Sequence, residues 1–577
     1  MAASMRSHNW KLQKKASKAF FEQYPEYHAL VTQILWNRNV RTQQAVDAFF
    51  NPDYETDTHD PRLLKGMEEA VTIVVAAIEK GEHILVYGDY DADGVCASTV
   101  LYETFNTLGA KKVSVYIPHR QDEGYGLNDE AIRKAARDGV QLIITVDCGS
   151  TNVSQVALAK ELGMRIVVTD HHTVLRVAPA ADAFVNPHQK GDEYPFKGLS
   201  GTAVAFKLAC ALVDIWRKEH PNEAPAPGWE KWLLDLVALS TITDVMPLVG
   251  ENRALVRWGL VVLAQTRREG LRALMRVSGV VPTLERATST TNLNPFTLGF
   301  ALGPRLNAAG RMEHAQLAFD LLNATTVEEA DRLAKLLDAA NRRRQTVVRD
   351  ILLQIPYEDI ADAPAVVVGS EAWPIGVLGI VAGRIADTHG KPAFIYQRQE
   401  ARLVGSARTP AHIHTVRVLQ SCESILEKFG GHAQAGGFTA TLANESALRQ
   451  GIIAHVSTLE HRDPSLSIDA PIKPADISWE THDALSTLAP YGQDNPEPVF
   501  LLKGMRLASK QEVGKGAHIR CILEADGYSL KAMGFRLAAS AELFSAGDMV
   551  DTVVRLAVDE YNGRRDLMVE LVDMKHA

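Results

Sequence analysis

Between Glu68 and Thr169 the chain repeats one unit: a helical stretch of roughly ten residues, then a short apolar run with no polar alternation. Helical spacing covers Glu68–Lys80, Ser98–Leu108, Asp129–Asp138 and Ser154–Leu162. The runs between are His83–Tyr87, Val113–Ile117, Leu142–Val146 and Arg165–Thr169. A strand that is apolar on both sides must be covered on both sides, and helix-length connections permit parallel pairing. The pattern predicts a doubly wound parallel sheet.

Three of these runs end on acidic residues. Leu85-Val86-Tyr87 leads through Gly88 into Asp89-Tyr90-Asp91-Ala92-Asp93-Gly94, Val146 into Asp147, and Thr169 into Asp170-His171-His172. An open parallel sheet binds ligands beyond the carboxyl ends of its strands, so these groups should share one edge. Carboxylates that close repel one another unless cations neutralise them, and carboxylate with imidazole suits Mn²⁺ or Mg²⁺. Two such ions about 4 Å apart can activate a water and stabilise phosphoryl oxygens. Asp89-x-Asp91-x-Asp93-Gly94 also opens like a calcium loop, but the twelfth position is Val100 where that loop needs Glu. Helix capping accounts for a single acidic strand end more readily than for three and a His-His pair.

At 577 residues the chain exceeds one core, and the pattern changes along it. A loop at Pro221–Pro227 reads as a boundary, followed by helices Trp229–Ser240 and Arg253–Gln265. A long helix, Thr326–Ile355, reads as a strut. Strand Ala365–Val368, helix Gly379–Asp387 and strand Ala393–Tyr396 suggest a second, smaller α/β domain ending near Glu460. Alternating runs at Val499–Leu507, His518–Leu523, Ser529–Phe535, Asp551–Val558 and Asp566–Val572, the last two flanking an Asn562-Gly563 turn, suggest an OB-like β-barrel. The expected division is 1–50, 51–320, 321–355, 356–462 and 463–577. Net charge is −9, which excludes a chain-wide basic field but leaves local basic patches open. Five scattered cysteines without a CxxC pair fit a reducing compartment, hence the cytoplasm. No apolar stretch approaches the ~20 residues of a membrane helix, and Met1–Ser17 lacks the apolar run of a secretory signal.

The ordered set of 89–94, Asp147, Asp170-His171-His172 and Leu239–Leu248, with Asp244 ahead of Pro247-Leu248, resembles the DHH phosphoesterase superfamily. Ile117-Pro118-His119-Arg120, Glu123-Gly124-Tyr125-Gly126 and Gly303–Met312 narrow the resemblance. Gly405-Ser406-Ala407-Arg408 and Gly430-Gly431-His432 are similar to a DHHA1-type domain, and Tyr491–Pro496 reads as the entry to the barrel. Taken together the chain resembles the bacterial RecJ family of single-strand-specific exonucleases over nearly its full length. The resemblance implies two-metal hydrolysis of single-stranded DNA from a 5′ end, releasing 5′-mononucleotides in recombination and repair. It implies that Asp89 and Asp91 hold one Mn²⁺ or Mg²⁺, that Asp93, His171 and Asp244 hold the other, and that Asp147 bridges them. Other branches of the superfamily place a His where this chain has Tyr87, which bears on Asp89. His172 would face the scissile phosphate and Asp170 would orient it. Arg120, Arg305, Asn307 and Arg311 would contact phosphates, and Ser406, Arg408 and His432 would form a pocket for the terminal 5′-phosphate. A single-strand-binding protein and a helicase are the implied partners.

Two other readings compete. A phosphatase or nuclease of the same superfamily acting on short oligonucleotides would have little use for the chain beyond residue 465. A non-catalytic scaffold would have no need of every acidic position. On the two-metal reading Asp93→Ala or His171→Ala should abolish cleavage and leave the fold largely intact.

Overall fold

The computed structural model describes residues 9–120, 122–174, 177–360, 362–460, 465–560 and 565–577. The chain forms two compact units. One comprises Asn51–Asp350 with Pro490–Asn495; the other comprises the described residues up to Phe50, with Ile351–Ala489 and Pro496–Ala577.

The first unit is built on five parallel strands: β1 (His83–Gly88), β2 (Lys112–Tyr116), β3 (Leu142–Val146), β4 (Arg165–Thr169) and β5 (Ala183–Val185). Their order is β2-β1-β3-β4-β5. The continuous apolar runs are explained by coverage on both faces. Ile84, Val86, Ile144 and Val146 point into a large core with α1 (Met67–Lys80), α2 (Ala92–Thr107) and α5 (Gly201–Glu219). Leu85, Tyr87, Ile143 and Val168 point the other way, onto α3 (Asp129–Arg137) and α4 (Val153–Glu161). Each such side chain contributes about 1.5–3 kcal/mol when fully buried, which pins the strand register. Chain order reverses between β1 and β3, and this switch point is where a doubly wound sheet opens its crevice.

Three expectations need correction. α2 begins at Ala92, six residues before Ser98, because the Asp91 carboxylate caps it by accepting from the N–H groups of Asp93 and Gly94. The Pro221–Pro227 loop separates no domains: α5 before it and α6 (Leu234–Thr243) after it share one core. α7 (Gly250–Ala264), α8 (Gly303–Met312) and the 28-residue α9 (Val327–Gln354) follow. Tyr491–Asn495 belongs to this unit too, where the Leu248 N–H donates to the Gln493 carbonyl at 2.8 Å. It anchors the loop after α6, whereas the sequence reads it as the entry to the barrel.

The second unit holds two sheets. In the first, Val366–Ser370 and Ala393–Arg398 run parallel, and Arg402–Arg408, Ala435–Thr441 and Leu426–Gly431 add antiparallel strands. The sheet is therefore mixed. In the second, Phe500–Val513 pairs on one side with His518–Ala525 and on the other with Met549–Asp559, which closes an OB-like barrel. Met549–Asp559 and Asp566–His576 pair antiparallel as a hairpin; the Asn562-Gly563 turn lies outside the described residues. The N-terminal strand Asn9–Leu12 joins this unit by pairing with Ser465–Ile468.

Candidate metal centre

The acidic strand ends converge at the β1/β3 switch point. Asp89 and Asp91 follow β1, Asp93 lies in the first turn of α2, Asp147 follows β3, and Asp170-His171-His172 follows β4. Asp244 is the C-cap of α6. Ligand atoms of Asp93, His171 and Asp244 lie within 4.8 Å of one another, as do those of Asp89, Asp91 and Asp147, and those of Asp147, His171 and His172. Asp147 is thus common to two of the groups. It adopts φ 59°, a left-handed conformation that Asp tolerates and that turns the chain sharply after β3.

Close backbone approach makes the cluster possible. A Cβ on Gly201, the first residue of α5, would lie 2.6 Å from Asp147 Cβ; one on Gly94 would lie 2.5 Å from the Asp89 carbonyl oxygen. Only glycine fits at either place.

Asp93 is 1% exposed and is held by four donors. The Gly201 and Thr202 N–H groups donate at 2.8 and 2.7 Å, the Thr202 hydroxyl at 2.6 Å and the Ser240 hydroxyl at 2.5 Å. The carboxylate sits at the N-terminus of α5, where the helix dipole favours it. Asp170 is fully buried and accepts from the Ser150, His171 and His172 N–H groups. Its Oδ1 lies 2.9 Å from His172 Nδ1. Burial opposes charge on both partners, but the bond and mutual attraction prevail: Asp170 drops below the carboxylate range and His172 is pushed up to about 9.

The remaining groups show the opposite signature. Burial first, then repulsion from neighbouring carboxylates, raises Asp89, Asp147 and Asp244 well above the usual range, while burial lowers His171. Asp89 Oδ1, Asp147 Oδ1 and His171 Nε2 are buried with no hydrogen-bond partner, although His171 Nε2 lies 3.1 Å from Asp147 Oδ1. A buried polar atom without a partner costs about 1–3 kcal/mol. Three lone pairs converging on one space fit divalent cations, and oxygen with imidazole donors and no thiolate fits Mn²⁺ or Mg²⁺.

The other candidates divide into groups. The Arg120 guanidinium lies 4.5 Å from the centroid of the Tyr90 ring, beside Asp89, whose charge it favours. Asn307 Oδ1 accepts from the Ala92 N–H at 2.8 Å and so fastens the Asp-bearing loop to α8, one turn before Arg311. The Arg305 guanidinium is engaged by Asp338 at 2.9 Å and the Ala301 carbonyl at 2.6 Å, which ties α8 to α9. Ser406, Arg408 and His432 lie in the second unit. A Cβ on Gly379, in helix Ile375–His389, would meet Ser406 Oγ at 3.2 Å and Arg408 Nη2 at 3.3 Å. Arg408 pairs across the sheet with Ala435, whose carbonyl accepts from the His432 N–H.

Sequence reasoning named Tyr125 within a motif but gave it no role; its hydroxyl lies 3.0 Å from His172 Nδ1 and 3.3 Å from the Asp147 carbonyl oxygen. It likewise gave Ser240 no role, and it overlooked Thr202 and the start of α5. Ser200 capping an apolar run was the available signal for that helix.

Comparison with known proteins places this arrangement. Residues 83–241 match the DHH family N-terminal domain, 362–458 the DHHA1 domain and 468–573 the RecJ OB domain. The sheet, its acidic edge and this domain series define the class: a DHH protein carrying a DHHA1 domain and an OB domain. A single-stranded-DNA-specific exonuclease RecJ of Bacillus subtilis is 34% identical over 99% of this chain and 71% of its own length. The crystal structure of RecJ from Thermus thermophilus in complex with Mn²⁺ is similar at TM-score 0.85 and 28% identity, over 99% of this chain and 80% of that one. That protein's complex with Mg²⁺ gives TM-score 0.79 at 27% identity, over 99% and 79%. The chain belongs to the RecJ family.

Proposed function

We propose that this chain is a two-metal exonuclease that hydrolyses single-stranded DNA from a 5′ end and releases 5′-mononucleotides. The observation that carries the reading is the convergence of Asp89, Asp147 and His171 lone pairs, buried and unpartnered, at the switch point of the sheet. Relatives named as single-stranded-DNA-specific exonucleases support the substrate, and similar structures in complex with Mn²⁺ and Mg²⁺ support the metals.

Asp89 and Asp91 would hold one ion, Asp93, His171 and Asp244 the other, and Asp147 both. When bound, the two ions supply an activated water and neutralise the phosphate's negative charge. The chain's own residues do the rest. Asp170 fixes the His172 ring and favours its cationic form, and the ring so held would face the scissile phosphate. The Tyr125 hydroxyl restrains the ring at the same nitrogen, His172 Nδ1. Asn307 holds the Asp-bearing loop at its capped geometry, and Arg120 and Arg311 supply planar donors for phosphate oxygens. Ser406, Arg408 and His432 would receive the terminal 5′-phosphate, and the barrel would supply stacking and backbone contacts for a single strand.

A single-strand-binding protein and a helicase that exposes 5′ ends are the partners this activity calls for. Action on DNA would put the chain at work in the cytoplasm; among the described residues no helix is long and apolar enough to cross a membrane. The test is digestion of one oligonucleotide, labelled separately at each end, with and without a 5′-phosphate, in Mn²⁺. Mononucleotide release from the 5′ label first is expected; release from the 3′ label first, or cleavage of dinucleotides alone, would refute the proposal.

A further inference from the structure

An aromatic pair beside the metal centre is left unused by the roles above. Phe296 and Phe300 are 70% and 72% exposed, yet their rings stack on each other, with centroids 4.8 Å apart and planes at 25°. Single exposed apolar residues are ordinary, but two phenyl rings held together in water need a reason.

Their backbone ties them to the metal centre. Phe296 directly precedes, and Phe300 lies within, a π-helical turn, Thr297–Leu302, a rare geometry concentrated at functional sites. This turn packs on the last turn of α6. A Cβ on Gly303 would sit 2.2 Å from Thr243 Cγ2, and one on Gly299 3.6 Å from Ile242 Cγ2. Asp244, proposed above as a ligand, caps that same turn of α6. At its other end the π-turn runs directly into α8, which carries Asn307 and Arg311.

Val245 adds an independent observation. It occupies the left-handed position after Asp244 at φ 57°, closing α6 through Val245 N–H to Ile242 and Met246 N–H to Thr241. Glycine is the residue suited to this position, and a β-branched side chain there is strained. The isopropyl group is 66% exposed, so burial does not offset that strain. Val245 is thus a second exposed apolar group, held at an unfavourable position directly after Asp244, at the end of the helix on which the aromatic-bearing turn packs.

We infer that Phe296 and Phe300, with Val245 beside Asp244, form a stacking platform for nucleobases flanking the scissile phosphate. The inference rests on the proposed function. Every base offers a π-face, so such a platform grips single strands without reading sequence, whereas paired bases inside a duplex present no face to it. Continuity with the metal centre selects this occupant over a protein partner, because a strand whose phosphate lies at the Asp244 ligand set passes this surface.

The experiment compares wild type with Phe296→Leu/Phe300→Leu, which keeps apolar bulk and removes the π-faces. Readouts are KM and kcat on a single-stranded oligonucleotide, the same strand carrying abasic sites, and melting temperature. The expected result is a KM raised about tenfold with kcat and melting temperature unchanged. Phe296→Tyr/Phe300→Tyr should restore KM, and abasic sites should weaken wild type but not the Leu variant further. A Leu variant with wild-type KM would overturn the platform, as would wild-type insensitivity to abasic sites. A wild-type dimer that the Leu variant dissolves would overturn it too, by assigning the patch to a contact between copies. Failure of wild type to degrade the strand at all would instead overturn the proposed function beneath it.

Discussion

Asp93 is the ligand candidate whose removal the fold should feel most. The sequence alone suggests that Asp93→Ala spares folding, and the structure gives the opposite expectation. The Thr202 hydroxyl keeps the Asp93 backbone carbonyl at 2.8 Å and the Ser240 hydroxyl keeps Ser200 Oγ at 2.9 Å, so both retain a partner. The Gly201 and Thr202 N–H groups have only the carboxylate, and orphaning two buried amides costs about 2–6 kcal/mol. Loss of a charge at the N-terminus of α5 adds about 0.5–1 kcal/mol, while relief of repulsion among the carboxylates offsets part. A net loss of about 3–5 kcal/mol should lower the melting temperature by about 5–10 °C, since a domain of 150–250 residues shifts by about 2–4 °C per kcal/mol and a larger unit by less. Asp93→Asn keeps the shape but turns one acceptor into a donor facing a donor, and should lose about half as much. His171→Ala is the cleaner catalytic test, because His171 Nε2 makes no hydrogen bond. Thermal melts of all three variants in EDTA, with cleavage measured in parallel, decide the matter. An Asp93→Ala protein melting within about 2 °C of wild type would refute this account of the carboxylate.

Three further expectations follow from the same geometry. Asp89, Asp147 and Asp244 bind protons more tightly folded than unfolded, so their contribution to stability is greatest at low pH and is lost as pH rises through their raised folded values. His171, held neutral, acts oppositely but is one group against three; metal-stripped protein should therefore melt higher at about pH 5 than at about pH 7, and saturating Mn²⁺ should abolish the difference. A melting temperature independent of pH without metal would contradict this. Asp170→Asn should release His172 from about 9 toward the ordinary ~6.5 and slow cleavage about 10–100-fold, read by NMR titration of the ring and by kcat; an unmoved ring titration would contradict it. Val245→Gly should stabilise the protein by about 0.5–1 kcal/mol, the relief of left-handed strain exceeding the added unfolded-state entropy, and denaturant unfolding would show it.

What could be read from the sequence follows the physics of each element. Strands β1, β3 and β4 announced themselves because burial on both faces leaves only apolar residues, and their acidic ends stood out against that background. α5 escaped notice because it is buried nearly all round, so no polar face marks its period. The barrel strands showed through alternation. In the mixed sheet, Ala435–Thr441 opens with Ala435-Gly436-Gly437 and carries little β signal, which hid the antiparallel half. The acidic groups of the site were legible one by one. Their support was not: Thr202 and Ser240 reach Asp93 across 109 and 147 residues of chain, and local pattern carries no trace of that. Arg305 and Asn307 sit in one motif two residues apart, yet one is spent on Asp338 and the other on the Asp-bearing loop.

The central claim is that the β1/β3 edge of this chain holds two divalent ions through a shared Asp147. Calorimetric titration of Mn²⁺ into metal-stripped protein tests it most directly. Two ions per chain are expected for wild type, with binding at both sites weakened together in Asp147→Asn. Absence of binding in wild type, or an Asp147→Asn protein that still takes up two ions with unchanged affinity, would contradict it.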